Sequence, residues 1–230
     1  MKNPWVIIGI ITVILFGGVI FLSNVSTEEN DEIHNEGVEL IQHIKGNSEA
    51  AVTLVEYSDF QCPACAAFQA PLSGVLNIYK DNINFEYKHF PLPMHSYAQQ
   101  AAVAAEAAGQ QGKFFEFHDL LFENQQTWAD SPIPNSLFIK YAEELGLDID
   151  LFRKHLKSSI LLDKVKTDLA EGKRLKVTGT PTFFLNGEKM EIETYQKFVE
   201  QIAFAINPGS ASTTVNGETP SPAAGVRFGI

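Results

Sequence analysis

The chain has 230 residues, a formal net charge of −11 at pH 7, and 45% hydrophobic residues that include 17 phenylalanines. The phenylalanines supply enough apolar material for one medium-sized domain that does not need a disulfide to hold it together. The acidic balance argues against a nucleic acid as partner, and against docking of the domain on an anionic membrane surface, because both require a basic face.

The first 45 residues are predicted to lie outside the compact domain. Residues 4–22 form an uncharged apolar run that is long enough, at about 1.5 Å per residue, to cross a membrane as a helix. Residues 1–3 are predicted to stay in the cytoplasm, because Lys2 precedes the run and acidic residues follow it. A cleaved signal peptide is the alternative, but residues 21–26 offer no A-x-A-like site. We therefore expect a transmembrane anchor, an acidic tether at 23–45 and an extracytoplasmic remainder.

The compact domain is predicted to span residues 46–206, followed by a disordered tail at 207–230 that is rich in Ser, Thr, Pro, Gly and Ala. The predicted elements are, in order, a strand at 52–57, a helix at 63–79, a strand at 83–90, a helical insertion at about 96–172, a hairpin at 182–192 and a helix at 194–206. Strands joined by a helix favour a right-handed parallel crossover. The full order predicts an α/β fold with a mixed sheet and a helical insertion.

The two cysteines of the chain lie in one window, Cys62-Pro63-Ala64-Cys65. Two sulfurs at positions i and i+3 lie on one face of a helix, close enough to form and break a mutual bond. Cys62 is predicted to lie where a strand ends and a helix begins, so that free backbone N–H groups and the helix dipole stabilise its thiolate. Cys65 is one turn further in and is expected to be more buried, with a higher pKa. This asymmetry predicts that Cys62 is the attacked sulfur and that Cys65 resolves the mixed disulfide.

Three other uses of a CxxC motif fit the sequence less well. Zinc needs four ligands, but the chain has no second CxxC and its six histidines are dispersed. Covalent haem attachment needs a histidine where Ala66 stands. A purely structural disulfide across so short a loop stabilises little, because the entropy gained grows with loop length. We therefore expect a redox-active Cys62–Cys65 disulfide, with no metal and no other cofactor.

Two segments resemble the DsbA-like thiol:disulfide oxidoreductases of the thioredoxin superfamily. Residues 55–65 (VEYSDFQCPAC) are similar to the active-site stretch of that family, and residues 177–183 (VTGTPTF) are similar to the superfamily's cis-proline loop. The resemblance covers about residues 46–206 and implies a thioredoxin-like fold. The dipeptide Pro63-Ala64 lacks the histidine of the strongly oxidising members, which predicts a less oxidising couple.

The resemblance also assigns roles to Pro181, Thr180 and Glu56. It implies that Pro181 is cis and packs against the dithiol, while the backbone of Thr180 pairs with bound peptide; an ordinary trans proline at a strand start is the alternative. Glu56 matches a buried acid that helps to move the proton of Cys65. A carboxylate in an apolar strand is costly unless it has a use, and a raised pKa would suit a base. The alternative is a glutamate at the strand edge facing solvent, and Lys88 is a weaker candidate as its partner.

We therefore expect a single-pass cell-membrane protein that acts as a monomeric thiol:disulfide oxidoreductase outside the cytoplasm. It would pass its disulfide to cysteines of exported polypeptides, and a membrane redox partner would recycle the dithiol. A reductase or isomerase that uses the same dithiol is an open alternative. So is a non-catalytic thioredoxin-like binding module or metallochaperone, which would keep the fold but turn over no disulfides.

Overall fold

The computed structural model describes residue 32 and residues 34–208. The predicted anchor at 4–22, the first part of the predicted tether and residues 209–230 of the predicted tail lie outside the described residues. Within the described part of the chain, no helix is long and apolar enough to cross a membrane.

In the described part of the chain, three strands and one helix come first, a block of six helices follows, and two strands and a last helix complete the domain. The strands are β1 (Ile44–Gly46), β2 (Val52–Ser58), β3 (Ile83–His89), β4 (Thr182–Leu185) and β5 (Glu188–Lys189). The helices are α1 (Pro63–Ile78), α2 (Ala98–Gly109), α3 (Phe114–Glu123), α4 (Gln125–Ala129), α5 (Pro134–Glu144), α6 (Ile149–His155), α7 (Ser159–Arg174) and α8 (Tyr195–Ile206). The block α2–α7 is the predicted helical insertion.

The five strands form one mixed sheet in the order β1-β3-β2-β4-β5. Strands β2 and β3 are parallel, in a register that runs from Val52 opposite Ile83 to Ser58 opposite His89. Helix α1 is therefore the crossover between them, as predicted. Strand β1 pairs antiparallel with β3, and β4 pairs antiparallel with β2. Because β2 and β3 end at the same edge, the segments that follow them lie side by side there.

Burial explains why the central strands and the alanine-rich helix form where they do. In β3 every second residue is buried, which is the alternation of a strand with one face on the core. In the other central strand, β2, one face is fully buried and Tyr57 on the second face is buried as well. Almost every residue of α2 is buried, because alanine side chains let neighbouring helices approach closely.

Residues 34–46, most of which were assigned to the predicted tether, pack on the domain that was predicted to begin at residue 46. Asn35 Nδ2 donates to Ser159 Oγ at 2.8 Å, and Ser158 Oγ donates to Asn35 Oδ1 at 2.7 Å. The His43 ring is buried and stacks on Phe114 with centroids 3.5 Å apart. The acidic composition predicted a tether, but this segment is docked by amide, imidazole and β1 backbone groups, and Glu36 forms an ion pair with Lys154 at 2.9 Å.

Candidate active site

Cys62 lies between the end of β2 and the first residue of α1. Its backbone is extended, with φ −77° and ψ 121°, and Pro63 is the first helical residue. Cys62 exposes 7% of its surface and Cys65 none, and both are free thiols. The proline has no N–H, so the backbone N–H groups of Ala64 and Cys65 are the first that the helix start offers to the Cys62 sulfur.

The two thiols have opposite electrostatic environments. A hydrogen bond from the Cys65 thiol, with smaller contributions from Thr180 and from the N–H groups of Cys65 and Ala64, lowers the pKa of Cys62 to about 5 against the opposing effect of burial. Burial raises the pKa of Cys65 well above its ordinary value, and the neighbouring Cys62 sulfur adds to that rise. At neutral pH this arrangement provides one thiolate near the surface and one protonated thiol beneath it.

The loop that contains Thr180 and Pro181 lies against the dithiol. The Thr180–Pro181 peptide bond is cis. The Cys62 Sγ lies 3.4 Å from the Thr180 carbonyl oxygen, to which the protonated thiol donates a hydrogen bond, across 118 residues of sequence. Both loop residues are half-buried, so part of their surface is accessible beside the sulfur. The structure brings these predicted site residues together, while peptide binding by Thr180 and Pro181 stays a prediction.

Glu56 is completely buried, so the alternative of a solvent-facing strand-edge glutamate is wrong. Within the described chain, no hydrogen-bond partner is found for either carboxylate oxygen of Glu56, for the Ser58 hydroxyl or for the Tyr87 hydroxyl. Burial raises the pKa of the Glu56 carboxyl to about 7, and the nearby Ser58 hydroxyl opposes that rise. The Glu56 charge in turn helps to raise the pKa of Cys65. A carboxyl group that titrates near neutral pH beside a buried thiol can exchange a proton with it.

Lys88 is not the partner of Glu56. In the parallel register Glu56 lies opposite Tyr87, whereas Lys88 lies opposite Tyr57. Successive side chains of a strand point to opposite faces, so Glu56 and Lys88 lie on different faces of the sheet. The Lys88 ammonium group forms its ion pairs with carboxylates of its own face, Glu86 at 3.0 Å, Glu171 at 3.2 Å and Asp168 at 3.7 Å.

Three residues that hold the turn before Cys62 were missed from the sequence. The Asp59 carbonyl oxygen accepts the Cys62 N–H at 3.0 Å, and the Asp59 carboxylate accepts a hydrogen bond from His95 Nδ1 at 2.7 Å. From the helical insertion, Gln125 Nε2 donates to the carbonyl oxygens of Phe60 at 2.8 Å and Cys62 at 2.9 Å. An aspartate at a strand end is a turn signal that could have indicated Asp59. No local signal indicates His95 or Gln125, because their partners lie tens of residues away.

A second polar cluster lies among β3, α2 and α7. Ligand atoms of His89, Glu106 and Asp168 lie within 4.8 Å of one another, which is the spacing of a metal site. The Glu106 carboxylate already accepts hydrogen bonds from His43 Nε2 at 2.8 Å and His89 Nε2 at 2.9 Å. The Asp168 carboxylate is paired with Lys164 at 2.6 Å. Donors within the chain therefore satisfy these acids, and the ammonium group would repel a cation.

A family model described as thioredoxin matches residues 40–203. The chain belongs to the thioredoxin family. A thioredoxin-like oxidoreductase from Silicibacter pomeroyi DSS-3 has a similar structure, with 24% identity, TM-score 0.61, and coverage of 80% of this chain and 98% of that one. BdbD from Bacillus subtilis is similar with 22% identity, TM-score 0.64, and coverage of 75% and 94%. Alpha-DsbA1 from Wolbachia pipientis is similar with 19% identity, TM-score 0.60, and coverage of 76% and 94%.

The family model confirms the thioredoxin superfamily, and the structural similarities confirm the thioredoxin-like mixed sheet with a helical insertion. Curated relatives of this thioredoxin-family chain include Na(+)/H(+) antiporter NhaA 3 of Salinispora tropica, 43% identical, and NhaA 1 of Salinispora arenicola, 42% identical, each over 148 residues. The chain spans 22% of the length of either relative, and the match covers 64% of the chain. Ion transport is named for those much longer proteins and is not assigned to this chain.

Proposed function

We propose that this chain is a thiol:disulfide oxidoreductase that passes the Cys62–Cys65 disulfide to cysteines of exported polypeptides. The observation that carries the proposal is the asymmetry of the two thiols at the start of α1. The pKa of Cys62 is lowered to about 5, whereas burial raises that of Cys65. Exchange chemistry needs one sulfur that leaves easily as a thiolate and another that holds its proton until the mixed disulfide is resolved.

The oxidation reaction balances with the groups present. A substrate thiolate attacks the Cys62 sulfur, the Cys62–Cys65 bond breaks, and its electron pair goes to Cys65, which takes a proton. A second substrate thiolate attacks the substrate sulfur of the mixed disulfide, and Cys62 leaves as a thiolate. The products are a substrate disulfide and a reduced dithiol. Glu56 holds the proton that Cys65 gains or loses, because its pKa of about 7 allows both protonation states near neutral pH.

The low pKa of Cys62 supports the oxidase direction. A stabilised thiolate favours the reduced protein and therefore the oxidation of the substrate. The redox-active disulfide is the only cofactor that this reaction requires. Cysteine-containing exported polypeptides are the proposed substrates of a monomeric protein, and a membrane redox partner reoxidises the dithiol. A reductase would use the same sulfurs with the electron flow reversed, and an isomerase would use them with no net electron flow.

The proposed location is the cell membrane, with the domain on its extracytoplasmic side. It is supported by the uncharged apolar run at residues 4–22 and the acidic residues after it. In spheroplasts of a bacterium that expresses the full chain, a membrane-impermeant maleimide should label the reduced dithiol. Deletion of residues 2–22 should abolish this labelling, and labelling only after lysis of the wild type would contradict the proposed location.

Substitution of the two cysteines tests the exchange reaction. Oxidation of a reduced dithiol peptide by the purified chain should be lost in Cys62→Ser, because Cys65 alone cannot form the internal disulfide that the peptide attacks. Cys65→Ser, given an oxidised disulfide peptide instead, should accumulate mixed disulfides that are visible by mass spectrometry. The Cys62 thiolate attacks the peptide disulfide, one peptide sulfur leaves as a thiolate, and no Cys65 thiol is present to release the other. Turnover that survives in Cys62→Ser would reject the assigned roles. The equilibrium of the Cys62–Cys65 couple with glutathione then decides between an oxidase and a reductase.

A further inference from the structure

We propose that His95 is a positioning residue for the dithiol. Together with Asp59, it fastens residues 91–97 to the turn before Cys62 and so holds the sulfur against the backbone N–H groups at the start of α1. The inference rests on the proposed exchange reaction, and it adds to that reaction a residue that belongs neither to the CxxC motif nor to the cis-proline loop.

The Asp59 carboxylate is the centre of this arrangement. Its side chain is fully buried and accepts three hydrogen bonds. Oδ1 accepts the N–H of Gln61 at 2.7 Å, while Oδ2 accepts the N–H of Leu92 at 2.8 Å and His95 Nδ1 at 2.7 Å. A carboxylate oxygen requires a donor, so Nδ1 carries the hydrogen, and it does so in the neutral as well as in the protonated ring.

The same turn is attached to Cys62 on one side and to the segment 91–97 on the other. The Asp59 carbonyl oxygen accepts the N–H of Cys62 at 3.0 Å, so the side chain and the backbone of one residue serve both connections. Gln61 adds a second attachment, because its Oε1 accepts the N–H of Tyr97 at 2.8 Å. The parallel strands β2 and β3 end at the same edge of the sheet, which brings these two segments together although 36 residues separate His95 from Asp59.

Among the three described donors to Asp59, His95 is the one that comes from a side chain. Its side chain is 18% exposed, whereas the carboxylate that it contacts is fully buried. If this donor is lost, the carboxylate is left short of a hydrogen bond in a buried place, and the turn shifts to let water reach it. The N–H groups of Ala64 and Cys65 that stabilise the Cys62 thiolate would then be less well aligned.

The test is a titration of the Cys62 thiolate in the purified full chain, followed by its ultraviolet absorbance. His95→Ala should raise the pKa of Cys62 by about one unit, which is about a tenfold loss of thiolate at a pH below both values. The glutathione equilibrium should move about tenfold toward the disulfide form, because a less stable thiolate makes the reduced protein less favourable. His95→Asn places an amide N–H close to the position of Nδ1 and should restore both values to within about threefold.

Two further variants keep the test decisive. Met94→Ala is the matched control, because Met94 lies in the same segment, is 76% exposed, and should leave the titration unchanged. Gln61→Ala removes the other side-chain attachment and should shift the pKa of Cys62 in the same direction as His95→Ala, by a smaller amount. It also replaces His95→Ala if that variant does not fold.

The positioning role is overturned if His95→Ala and Gln61→Ala both leave the thiolate titration within about twofold of the wild type. It is also overturned if His95→Asn, folded by circular dichroism, titrates like His95→Ala. Both readouts come from the dithiol itself and need no protein substrate. A wild type that fails to oxidise peptides would therefore reject the proposed function. The positioning role would still be supported if the pKa of Cys62 rises in His95→Ala and is restored in His95→Asn.

Discussion

Glu56 on β2 and Glu106 on α2 are both completely buried, yet their surroundings move their pKa values in opposite directions. Burial alone would raise the pKa of Glu106, but hydrogen bonds from His43 and His89 outweigh it and lower the value to about 2. Among the described residues neither carboxylate oxygen of Glu56 has a hydrogen-bond partner, and burial raises its pKa to about 7. The difference therefore comes from the partners and not from the depth of burial.

The two acids illustrate two uses of a buried charge. Glu106 joins three separate parts of the chain, since His43 precedes β1, His89 ends β3 and Glu106 lies on α2. Glu56 joins nothing and instead lies near Cys65, whose pKa its charge helps to raise. Each pKa differs from the ordinary value of 4.5 by an amount that corresponds to about 3 kcal/mol, with opposite signs for stability. The site beneath the dithiol thus gives up stability for a carboxyl group that can titrate near neutral pH.

The largest effect on stability is expected when Glu106, the acid that is hydrogen-bonded to two histidines, is removed. Glu106→Ala should lower the free energy of unfolding by about 3–5 kcal/mol, because two buried imidazoles lose their acceptor. The melting temperature should fall by roughly 10 °C, measured by circular dichroism at pH 7. The folded pKa is depressed, so the contribution of Glu106 is present above pH 4.5 and is lost as the pH falls toward 2.

Glu116→Ala is the control for this change, because Glu116 is an exposed glutamate on α3 and should cost less than about 0.5 kcal/mol. The thiolate titration of Cys62 should be the same in Glu106→Ala as in the wild type. A loss of less than about 1 kcal/mol would show that the histidines find other acceptors and that Glu106 is not the centre of this network.

The second prediction concerns Glu56, whose replacement should stabilise the protein, in contrast to that of Glu106, and should do so only at higher pH. Glu56→Gln should leave the stability of the reduced protein unchanged below pH 4.5, where the carboxyl group is protonated in both the folded and the unfolded chain. Between pH 4.5 and about 7 the unfolded chain releases this proton while the folded chain keeps it, so the wild type loses stability as the pH rises. Above pH 7 the variant should be more stable by about 3 kcal/mol, measured by urea unfolding.

The same variant should slow disulfide exchange and remove the step near pH 7 from its rate profile, because Cys65 loses its proton acceptor. A stability difference that does not change between pH 4.5 and 8 would mean that Glu56 is not protonated in the folded protein. In that case burial would not raise the pKa of Glu56, and its pKa would not differ from that of Glu106 in the direction described above.

The residues of the dithiol site could be predicted from the sequence to the extent that their chemistry is local. The strand-to-helix boundary at Cys62 and the motif around Pro181 are each contained in about ten residues, and the burial of Glu56 followed from its apolar strand. His95 and Gln125 could not be found in this way, because their hydrogen bonds reach Asp59, Phe60 and Cys62 across 36 to 65 residues.

The hydrogen bonds of Glu106 could not be predicted from the sequence for the same reason. Its partners His43 and His89 come from residues 63 and 17 positions away, and neither spacing suggests a contact before the sheet and α2 are assembled. The edge strand β1 was missed for a related reason, since its three residues carry no alternation and are defined by their pairing with β3. What the sequence could not indicate is therefore which polar groups become neighbours through the tertiary fold.

The smallest expected effect comes from Ser58, and it tests whether the Ser58 hydroxyl lowers the pKa of Glu56. This hydroxyl lowers the pKa of Glu56 against the larger effect of burial. Ser58→Ala should therefore move the pH step in the exchange rate upward by less than about one unit. The free energy of unfolding at pH 4 should change by less than about 1 kcal/mol, because Glu56 is then protonated and the hydroxyl has no carboxylate charge to stabilise.

A double-mutant cycle with Glu56→Gln separates this effect from a direct effect on Cys65, whose pKa the Ser58 hydroxyl also lowers. If Ser58 acts through Glu56, the shift of the pH step disappears in the Glu56→Gln background, where no carboxyl group titrates. A shift of the same size in both backgrounds would instead assign the effect to Cys65. In that case the step near pH 7 would report the inner thiol, and the unpaired acid would differ from Glu106 in stability alone.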